Sequence, residues 1–365
     1  MSKIISIATA VPDHRYQQDQ LFSFADRVYS GDATDSRKLK YLYNHSGIAE
    51  RYSVLPDFGC STEERIFFPP SQDLEPFPSI EKRMQLFDRY AAELSSKAID
   101  DCITGTIKRS DITHLITVSC TGISAPGLDL QVMEILGLPR QLNRTSVNFM
   151  GCYAAIHAMK LADAFCSREK DAKVIVVCTE LCTLHFQKTI STDNITSSLL
   201  FGDGCAAMLM QSDESAHKGI RIKTFYSDVS TKGKQDMAWQ LSSSGFLMTL
   251  TGYVPGLLKE DFHALTKDAL AHAGINVADV SNWCIHPGGK KILEAISTSL
   301  EIEQAALQHS YDVLRDFGNM SSATILFVLK KILTECESMP HKPANIFGAA
   351  FGPGLTMETF TATYD

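Results

Sequence analysis

The stretch Arg144-Thr-Ser-Val-Asn-Phe-Met-Gly-Cys-Tyr-Ala-Ala-Ile-His-Ala-Met-Lys-Leu-Ala-Asp-Ala-Phe165 changes its hydrophobic pattern at a single cysteine. Residues 144–150 have the pattern of a buried β-strand, and residues 153–165 have helical spacing. Cys152 is therefore predicted to lie at a helix N-terminus, where free backbone N–H groups and the helix dipole favour a thiolate. We expect a nucleophile there, with a buried structural cysteine as the alternative.

Two later segments place a histidine and an asparagine at similar junctions. Asn282-Trp-Cys-Ile-His-Pro-Gly-Gly289 leads from an apolar strand into a turn at His286, and Phe317-Gly-Asn-Met-Ser-Ser-Ala323 puts Asn319 in a small-residue turn before a helix. Strand-to-helix junctions gather at the carboxyl edge of a sheet, where open α/β folds build their sites. We therefore expect Cys152, His286 and Asn319 to form one site.

This trio suits the formation of a carbon–carbon bond on a thioester. A cysteine can hold an acyl group, and decarboxylation of a malonyl thioester gives an enolate that attacks it. The enolate oxygen needs hydrogen-bond donors, which a neutral imidazole and an asparagine amide supply. His286 can also draw the proton from Cys152.

At this point the chain resembles the type III polyketide synthases, the chalcone-synthase-like branch of the thiolase superfamily. The resemblance covers nearly the whole chain. It rests on Gly151-Cys152, Leu200-Phe-Gly-Asp-Gly204, His286-Pro-Gly-Gly289, Gly318-Asn-Met-Ser-Ser322 and Phe351-Gly-Pro-Gly-Leu-Thr356, in family order. The related ketoacyl-carrier-protein synthases normally place their histidine in His-Gln-Ala-Asn, so the Pro-Gly-Gly sequence favours the polyketide branch.

Alternating strand-like and helix-like runs predict a layered α/β fold with strands covered on both faces. The resemblance implies a thiolase-like αβαβα arrangement of two pseudo-equivalent halves. Residues 1–218 would form the N-terminal half with the nucleophilic cysteine, and residues 219–365 the C-terminal half with His286 and Asn319. The polar segment 211–218 is the best linker candidate.

Composition is that of an ordinary globular protein, with 365 residues, 44% hydrophobic and 21% charged. A formal net charge of −8 argues against nucleic acid as a partner. The start lacks a signal peptide and no run reaches membrane-spanning length, so we expect a cytoplasmic protein. The ten cysteines include no Cys-x-x-Cys pair, which indicates buried reduced thiols and no metal site.

Basic residues near two helix ends are candidates for binding coenzyme A. Arg37, Lys38 and Lys40 lie in an early helix that ends near Gly47, and Gly289 and Lys290 open the helix after the Pro-Gly-Gly turn. Helix N-termini and glycine-rich turns bind phosphate. A solvated helix face explains the first cluster equally well.

The resemblance also implies residues that line the substrate pocket. Phe201 matches the aromatic gate beside the nucleophile, and Met248 stands where plant members carry a second gating phenylalanine, which makes the entrance more adaptable. Gly352 and Pro353 match a turn that lines the cyclisation cavity.

Four further pocket positions depart from the plant pattern. Cys182 and His185 replace threonines, Ala125 replaces a methionine that enters the partner subunit's cavity, and Trp239 replaces glycine, which would close one branch of the pocket. His185 is either a satisfied structural histidine or a group that polarises a polyketide carbonyl. The pattern disfavours a cinnamoyl starter and looks more like microbial members that extend fatty acyl starters into alkylpyrones or alkylresorcinols.

We therefore predict an acyltransferase of secondary metabolism, a homodimer that uses acyl- and malonyl-coenzyme A without a metal or redox cofactor. It would extend the Cys152-bound acyl group iteratively and cyclise it to a pyrone or a resorcinol- or phloroglucinol-type ring. Three alternatives stay open. They are a single-round β-ketoacyl synthase III-like enzyme, a hydroxymethylglutaryl-type synthase with an acidic general base, and a catalytically silent acyl-coenzyme A-binding protein.

Overall fold

The computed structural model describes residues 1–230, 235–339 and 344–364. Its strands are β1 Ser2–Ala10, β2 His14–Gln17, β3 Glu50–Ser53, β4 His114–Ser119, β5 Asn143–Asn148, β6 Lys173–Leu181, β7 Asp203–Ser212, β8 Ile220–Val229, β9 Met237–Ser242, β10 Gly245–Leu250, β11 Asn282–Ile285, β12 Asn345–Gly352 and β13 Thr356–Tyr364. Its α-helices are α1 Gln18–Tyr29, α2 Ala33–His45, α3 Ile80–Ile103, α4 Leu128–Leu136, α5 Ala154–Arg168, α6 Thr192–Leu200, α7 Val254–Ala273, α8 Lys290–Leu300, α9 Gln308–Phe317 and α10 Thr324–Ser338.

Nine strands form one sheet in the order β11-β12-β13-β8-β1-β7-β6-β4-β5. The order repeats: β4-β6-β7-β1 on one side corresponds to β11-β12-β13-β8 on the other. In each set the first pair is parallel and the next two are antiparallel. The two sets join through β1 and β8, where only Lys3↔Arg221 and Ile4↔Ile220 pair. The fold is thus built from two similar halves.

Helices α5 and α10 lie in a central layer. Both contact strands of both halves, whereas α3 covers the outer face of β1, β6 and β7, and α7 contacts β8 and β13. The buried face of α5 is rich in alanine, at positions 154, 155, 158 and 162, and such small side chains let a helix approach its neighbours closely. Helices outside, strands between and helices at the centre give the αβαβα layering.

The predicted thiolase-like α/β class is therefore confirmed, and the strand and helix around Cys152 are present as β5 and α5. The prediction that this strand is buried is wrong, because β5 is the last strand of the sheet and most of its side chains are exposed or half-buried in this chain. The division into residues 1–218 and 219–365 stays a prediction; a turn between Ser212 and Ile220 connects β7 to β8. The sequence did not reveal the separate hairpin of β9 and β10. In the described part of the chain, no helix has both the length and the apolar character needed to cross a membrane.

Candidate active site

The turn between β5 and α5 places Cys152 in the interior. Gly151 has a φ of +85°, and a Cβ there would lie 2.1 Å from Cδ of Pro353. Only glycine fits this left-handed and crowded position. The tight turn brings Cys152 to the start of α5, where the side chain is buried and donates from Sγ to Oγ of Ser321 at 3.8 Å.

His286 directly follows β11. Its backbone N–H donates to the carbonyl of Ala349 on β12 at 2.9 Å, so the sheet fixes the start of the turn. The side chain is buried, and neither ring nitrogen has a hydrogen-bond partner among the described residues. Buried polar atoms are normally paired, so this imidazole is available to a substrate or to the Cys152 thiol.

The amide of Asn319 is held in one orientation. Its Oδ1 accepts a hydrogen bond from the backbone N–H of Ser321 at 2.8 Å, and Nδ2 donates to the carbonyl of Gly288 at 3.4 Å. Because the oxygen is engaged, the amide presents its N–H donors to the site.

These three side chains line one cavity of about 320 Å³. The remaining lining residues are Phe201, Met237, Met248, Leu250, Gly288, Ile292 and Phe351. No carboxylate is found among the residues that line this cavity. A thiol, an imidazole and an amide N–H donor therefore meet in a small, mostly apolar chamber, where electrostatic interactions are strong.

Burial disfavours the charged forms of both Cys152 and His286, whereas the helix dipole was expected to favour the Cys152 thiolate. It raises the pKa of the Cys152 thiol to about 12 and lowers the pKa of His286 to about 3, because each isolated charge loses its hydration. For the Cys152 thiol, burial therefore outweighs the effect by which the helix N-terminus favours the thiolate. Proton transfer from sulfur to imidazole would form both charges together, and their attraction at low dielectric offsets part of the desolvation cost.

Arg51 connects the Phe201 and Asn319 segments, and sequence reasoning missed it. Its Nη1 donates to the carbonyl of Phe201, and its stem lies so close to Gly318 that a Cβ there would be 2.7 Å from Cδ of Arg51. Asn319 donates from its backbone N–H to the Leu200 carbonyl at 2.9 Å and accepts from the Gly202 N–H at 3.0 Å. Phe201 and Asn319 are therefore held by one packed unit that includes Arg51.

Glu180 organises a hydrogen-bond network behind the nucleophile. One carboxylate oxygen accepts from the Cys120 backbone N–H and from Oγ1 of Thr121, both at 2.9 Å, and the other accepts from Oγ of Ser322. Burial raises the pKa of this carboxyl group. Because Glu180 does not line the Cys152 cavity, it ties the ends of β4, β6 and the Ser322 turn together.

A second, larger cavity of about 720 Å³ lies on the far side of Phe201 and Met248, which line both cavities. Three more of the predicted pocket residues, Cys182, His185 and Trp239, line this second cavity. The predicted gate residues Phe201 and Met248 therefore separate the Cys152 cavity from a second, mostly apolar cavity.

Both ring nitrogens of His185 are hydrogen-bonded within the protein. Nδ1 accepts from the Phe246 backbone N–H at 3.0 Å, and Nε2 donates to the Thr121 carbonyl at 2.7 Å. Its ring stacks on Phe246 with centroids 4.3 Å apart and lies edge-on to Trp239 at 5.7 Å. Burial lowers its pKa to about 3. Neither nitrogen is free to polarise a substrate carbonyl, so the structural alternative holds and His185 is a wall residue.

Three other predicted pocket residues lie outside both cavities. Ala125 is exposed on the loop after β4. Gly352 and Pro353 pack behind the nucleophile: a Cβ at Gly352 would meet the Tyr153 ring at 2.7 Å and the Cys152 backbone nitrogen at 3.2 Å. In this single chain these two residues shape the nucleophile turn rather than a cavity surface.

The two regions predicted to bind coenzyme A are neighbours, because the end of α2 lies against the start of α8. Gly47, which follows α2, lies against the Lys290 side chain, with its added Cβ 3.3 Å from Lys290 Cβ. Gly289 is buried at the start of α8, next to the Leu200 side chain. The basic residues of α2 all lie on its exposed side, at Arg37, Lys38 and Lys40.

Several residues that line the Cys152 cavity were not predicted. Phe351 begins the last of the quoted motifs, so it carried a signal. Met237 and Leu250 gave none, because their place in the cavity depends on the β9–β10 hairpin.

Comparisons with known proteins agree with this geometry. The chain matches the family models for chalcone and stilbene synthases, the N-terminal domain over residues 1–214 and the C-terminal domain over residues 223–363. It is 32% identical over 285 residues to the alpha-pyrone synthesis polyketide synthase-like Pks18 of Mycobacterium tuberculosis, which covers 77% of this chain and 72% of that protein.

Two solved structures share the fold. PKS-I of the brown alga Ectocarpus siliculosus superimposes with a TM-score of 0.93 at 25% identity, covering 100% of this chain and 98% of the other. The C-terminal type III polyketide synthase domain of Steely1 from Dictyostelium superimposes with a TM-score of 0.89 at 26% identity, covering 100% of this chain and 99% of the other. The chain therefore belongs to the chalcone and stilbene synthase family of type III polyketide synthases, which are condensing acyltransferases.

Proposed function

We propose that this enzyme loads an acyl group from acyl-coenzyme A onto Cys152, extends it repeatedly with malonyl-coenzyme A and cyclises the product. The ring would be a pyrone or a resorcinol- or phloroglucinol-type ring, and the name of the Mycobacterium relative favours the pyrone. The starter would be a fatty acyl group rather than a cinnamoyl group.

The observation that carries this proposal is the pair of cavities on either side of Phe201 and Met248. The Cys152 chamber would hold the reacting thioester groups, and the cavity that shares Phe201 and Met248 with it would receive the remainder of a starter and the units added to it.

Loading begins when the Cys152 sulfur attacks the starter thioester while His286 takes its proton, and coenzyme A leaves as the thiol. Malonyl-coenzyme A then binds with its thioester oxygen toward His286 and Asn319. As carbon dioxide leaves, the electron pair of the broken bond moves to that oxygen, where the two N–H donors stabilise the enolate. The enolate carbon attacks the Cys152 thioester and releases the sulfur.

Coenzyme A would enter at the α8 N-terminus. Gly288 and Ile292 line the Cys152 cavity, and Lys290 lies at the surface between them and next to Gly47. A helix N-terminus and a lysine are both favourable to phosphate. This arrangement supports Gly289 and Lys290 as coenzyme A contacts more directly than the exposed residues of α2.

The alternatives are less well supported by the site. A hydroxymethylglutaryl-type synthase needs an acidic base at the reacting carbon, whereas both oxygens of Glu180 are engaged behind the nucleophile. A silent binder has no need of an unpaired imidazole beside a buried thiol. The homodimer and the cytoplasmic location also stay proposals; Ile123, beside Ala125, is 54% exposed and would suit a subunit contact.

The test is to incubate the enzyme with malonyl-coenzyme A and a panel of short, aromatic and long acyl-coenzyme A starters, with Cys152→Ala as the control. Mass spectrometry should find cysteine-dependent products that carry two or more added acetate units. A single extension on every starter would instead indicate the β-ketoacyl synthase reaction, and no reaction would favour carrier-protein delivery or a silent binder.

A further inference from the structure

The cavity behind Phe201 and Met248 is largely apolar but not uniformly so. Its hydrocarbon wall is formed by Leu21, Phe24, Phe58, Phe186 and Phe246. Among these aromatic rings, Phe24, Phe58 and Phe186 pack edge-on, with centroid distances of 4.9 to 6.4 Å. Such a wall suits methylene groups. The chemistry of the ligand is therefore set by the polar atoms that interrupt this surface.

Most polar side chains of this cavity are already paired. Tyr16 donates to the Leu55 carbonyl at 2.9 Å, Tyr43 shares a hydrogen bond with Ser198 at 3.1 Å, and both nitrogens of His185 are engaged. Among the lining residues, two buried atoms have no hydrogen-bond partner within the described chain, and these are Nη2 of Arg51 and Oγ of Ser197.

The free nitrogen of Arg51 belongs to a buried cation. The residue is 4% exposed, its Nε donates to Oε1 of Gln18 at 3.1 Å, and its Nη1 donates to the Phe201 carbonyl. The Tyr43 hydroxyl lies near the guanidinium and favours its charge, but it does not reach hydrogen-bond geometry with Nη2. An unmet donor on a desolvated cation is costly.

No carboxylate of the described residues lies within salt-bridge distance of this guanidinium. Among the described residues, the carboxylate that acts on it is Asp203, and that carboxylate is engaged elsewhere. Its Oδ1 accepts from the Thr183 N–H at 2.8 Å and its Oδ2 from the Val54 N–H at 2.9 Å. The Nη2 donor is therefore available to an acceptor on a ligand.

We propose that Arg51 Nη2 and Ser197 Oγ bind an oxygen carried by the acyl chain, so that the preferred starter is an acyl-coenzyme A with an oxygen function at or near its far end. A carboxylate is the strongest acceptor for a buried guanidinium, and a hydroxyl or ketone offers the same contact without charge. This inference rests on the proposed function, because the cavity receives the chain only if Cys152 is loaded with it.

The experiment compares starters of equal chain length: octanoyl-, 8-hydroxyoctanoyl- and 7-carboxyheptanoyl-coenzyme A. The second-order rate of Cys152 acylation is measured by intact-protein mass spectrometry, and products with malonyl-coenzyme A are counted. We expect the carboxylated starter to load about tenfold faster than octanoyl, with the hydroxylated starter between them. Repeating the series at other chain lengths locates the anchor.

Two variants test whether these atoms cause the preference. Ser197→Ala should lower the ratio of oxygenated to plain loading severalfold, and Arg51→Lys should lower the ratio for the carboxylated starter further. Thr196→Ala is the matched control on the same helix, because Thr196 lines neither cavity; its ratio should equal that of the native enzyme. If Arg51→Lys does not fold, the loading ratio in Ser197→Ala still tests the proposal.

Equal or faster loading of octanoyl, or an unchanged ratio in Ser197→Ala, would overturn the anchor. In that case extension of octanoyl by malonyl-coenzyme A would leave the polyketide synthase proposal standing. Absence of extension with every starter would overturn the proposed function itself.

Discussion

Cys152 and Asn319 stand at corresponding places in the two halves of the fold. Cys152 lies in the segment that leads into α5, and Asn319 lies in the segment that leads into α10. The strands that follow these helices, β6 and β12, hold the same position in the repeated strand order. The internal symmetry thus brings the starts of two central helices together at one cavity, with the nucleophile on one and the amide donor on the other.

Asn319→Ala should separate loading from decarboxylation. The change removes an N–H donor aimed at the cavity, so we expect malonyl-coenzyme A decarboxylation to fall roughly 10²–10³-fold. Acyl transfer to Cys152 should persist, because sulfur and imidazole remain. Carbon dioxide release and intact-protein mass report the two steps separately. Normal decarboxylation by the variant would remove Asn319 from the proposed mechanism.

His286→Gln should expose the effect of burial on the nucleophile. Glutamine keeps a donor but cannot accept the thiol proton, so the thiolate loses the imidazolium whose attraction offsets part of its desolvation cost, and its effective pKa rises. A raised pKa means less thiolate at any fixed pH, and the rate of iodoacetamide alkylation at pH 7.5 should fall at least about tenfold. The alkylation rate of the variant should begin to increase at a higher pH than that of the native enzyme. Peptide mass spectrometry assigns the label to Cys152; identical pH profiles would contradict the proton-transfer role.

Gly318→Ala should disturb the Asn319 turn through crowding. Gly318 has a φ of +68°, and a Cβ there would lie 2.7 Å from both Cδ of Arg51 and the Leu200 carbonyl oxygen. Gly274→Ala is the control, since Gly274 has a φ of +72° with nothing within 4 Å of the added carbon. We expect Gly318→Ala to cost about 1–3 kcal/mol of unfolding free energy more than the control.

Denaturant unfolding measures that difference in stability, and a decarboxylation assay in native buffer measures the loss of function. Equal stabilities of the two variants would show that the Arg51 side chain moves aside without cost. The packed unit of Arg51, Gly318 and Asn319 would then not be rigid.

Sequence motifs and the family resemblance were enough to predict the fold class and the residues that meet at the cavity. Cys152 and His286 each stand between a strand and a helix, as predicted, whereas Asn319 lies between α9 and α10, so the strand-to-helix junction predicted for it is wrong. Their catalytic roles stay predictions, although the structure places the three side chains in one chamber.

Features that depend on distant contacts could not be predicted. Arg51 bonds to Phe201 across 150 positions of sequence, and nothing near Arg51 points to that partner. The raised pKa of Cys152 could not be predicted for a related reason. A helix N-terminus is a local feature, whereas burial is set by the whole fold. His185 needed the β9–β10 hairpin, since Phe246 on that hairpin engages one of its nitrogens.

His185→Thr should change the product ratio while leaving acyl loading intact. The ring joins the Thr121 carbonyl to Phe246 and fills the space beside Trp239. Threonine is smaller, so the extended chain gains room to fold differently before ring closure. Products are compared by liquid chromatography and mass spectrometry. His114→Thr is the control, because His114 is also buried but lines neither cavity. An unchanged ratio would exclude the wall role.

Lys290→Glu should weaken binding of the coenzyme without slowing the chemistry. Lys290 is exposed at the start of α8, beside Gly47, and its ammonium group lies 3.8 Å from Glu294. If the phosphates of coenzyme A bind at this helix end, reversing the charge should raise KM for malonyl-coenzyme A roughly fivefold at low salt, with kcat nearly unchanged. The effect should shrink as ionic strength rises.

Malonyl-pantetheine provides the matched substrate for this test. It carries the same reacting thioester but lacks the nucleotide phosphates, so its KM should be the same in Lys290→Glu and in the native enzyme. Lys267→Glu, on the exposed side of α7, keeps the net charge change constant and should affect neither substrate. An equal rise in KM for both substrates in Lys290→Glu would mean that the substitution distorts the turn after His286. An unchanged KM for malonyl-coenzyme A would move the phosphate contacts to the basic face of α2.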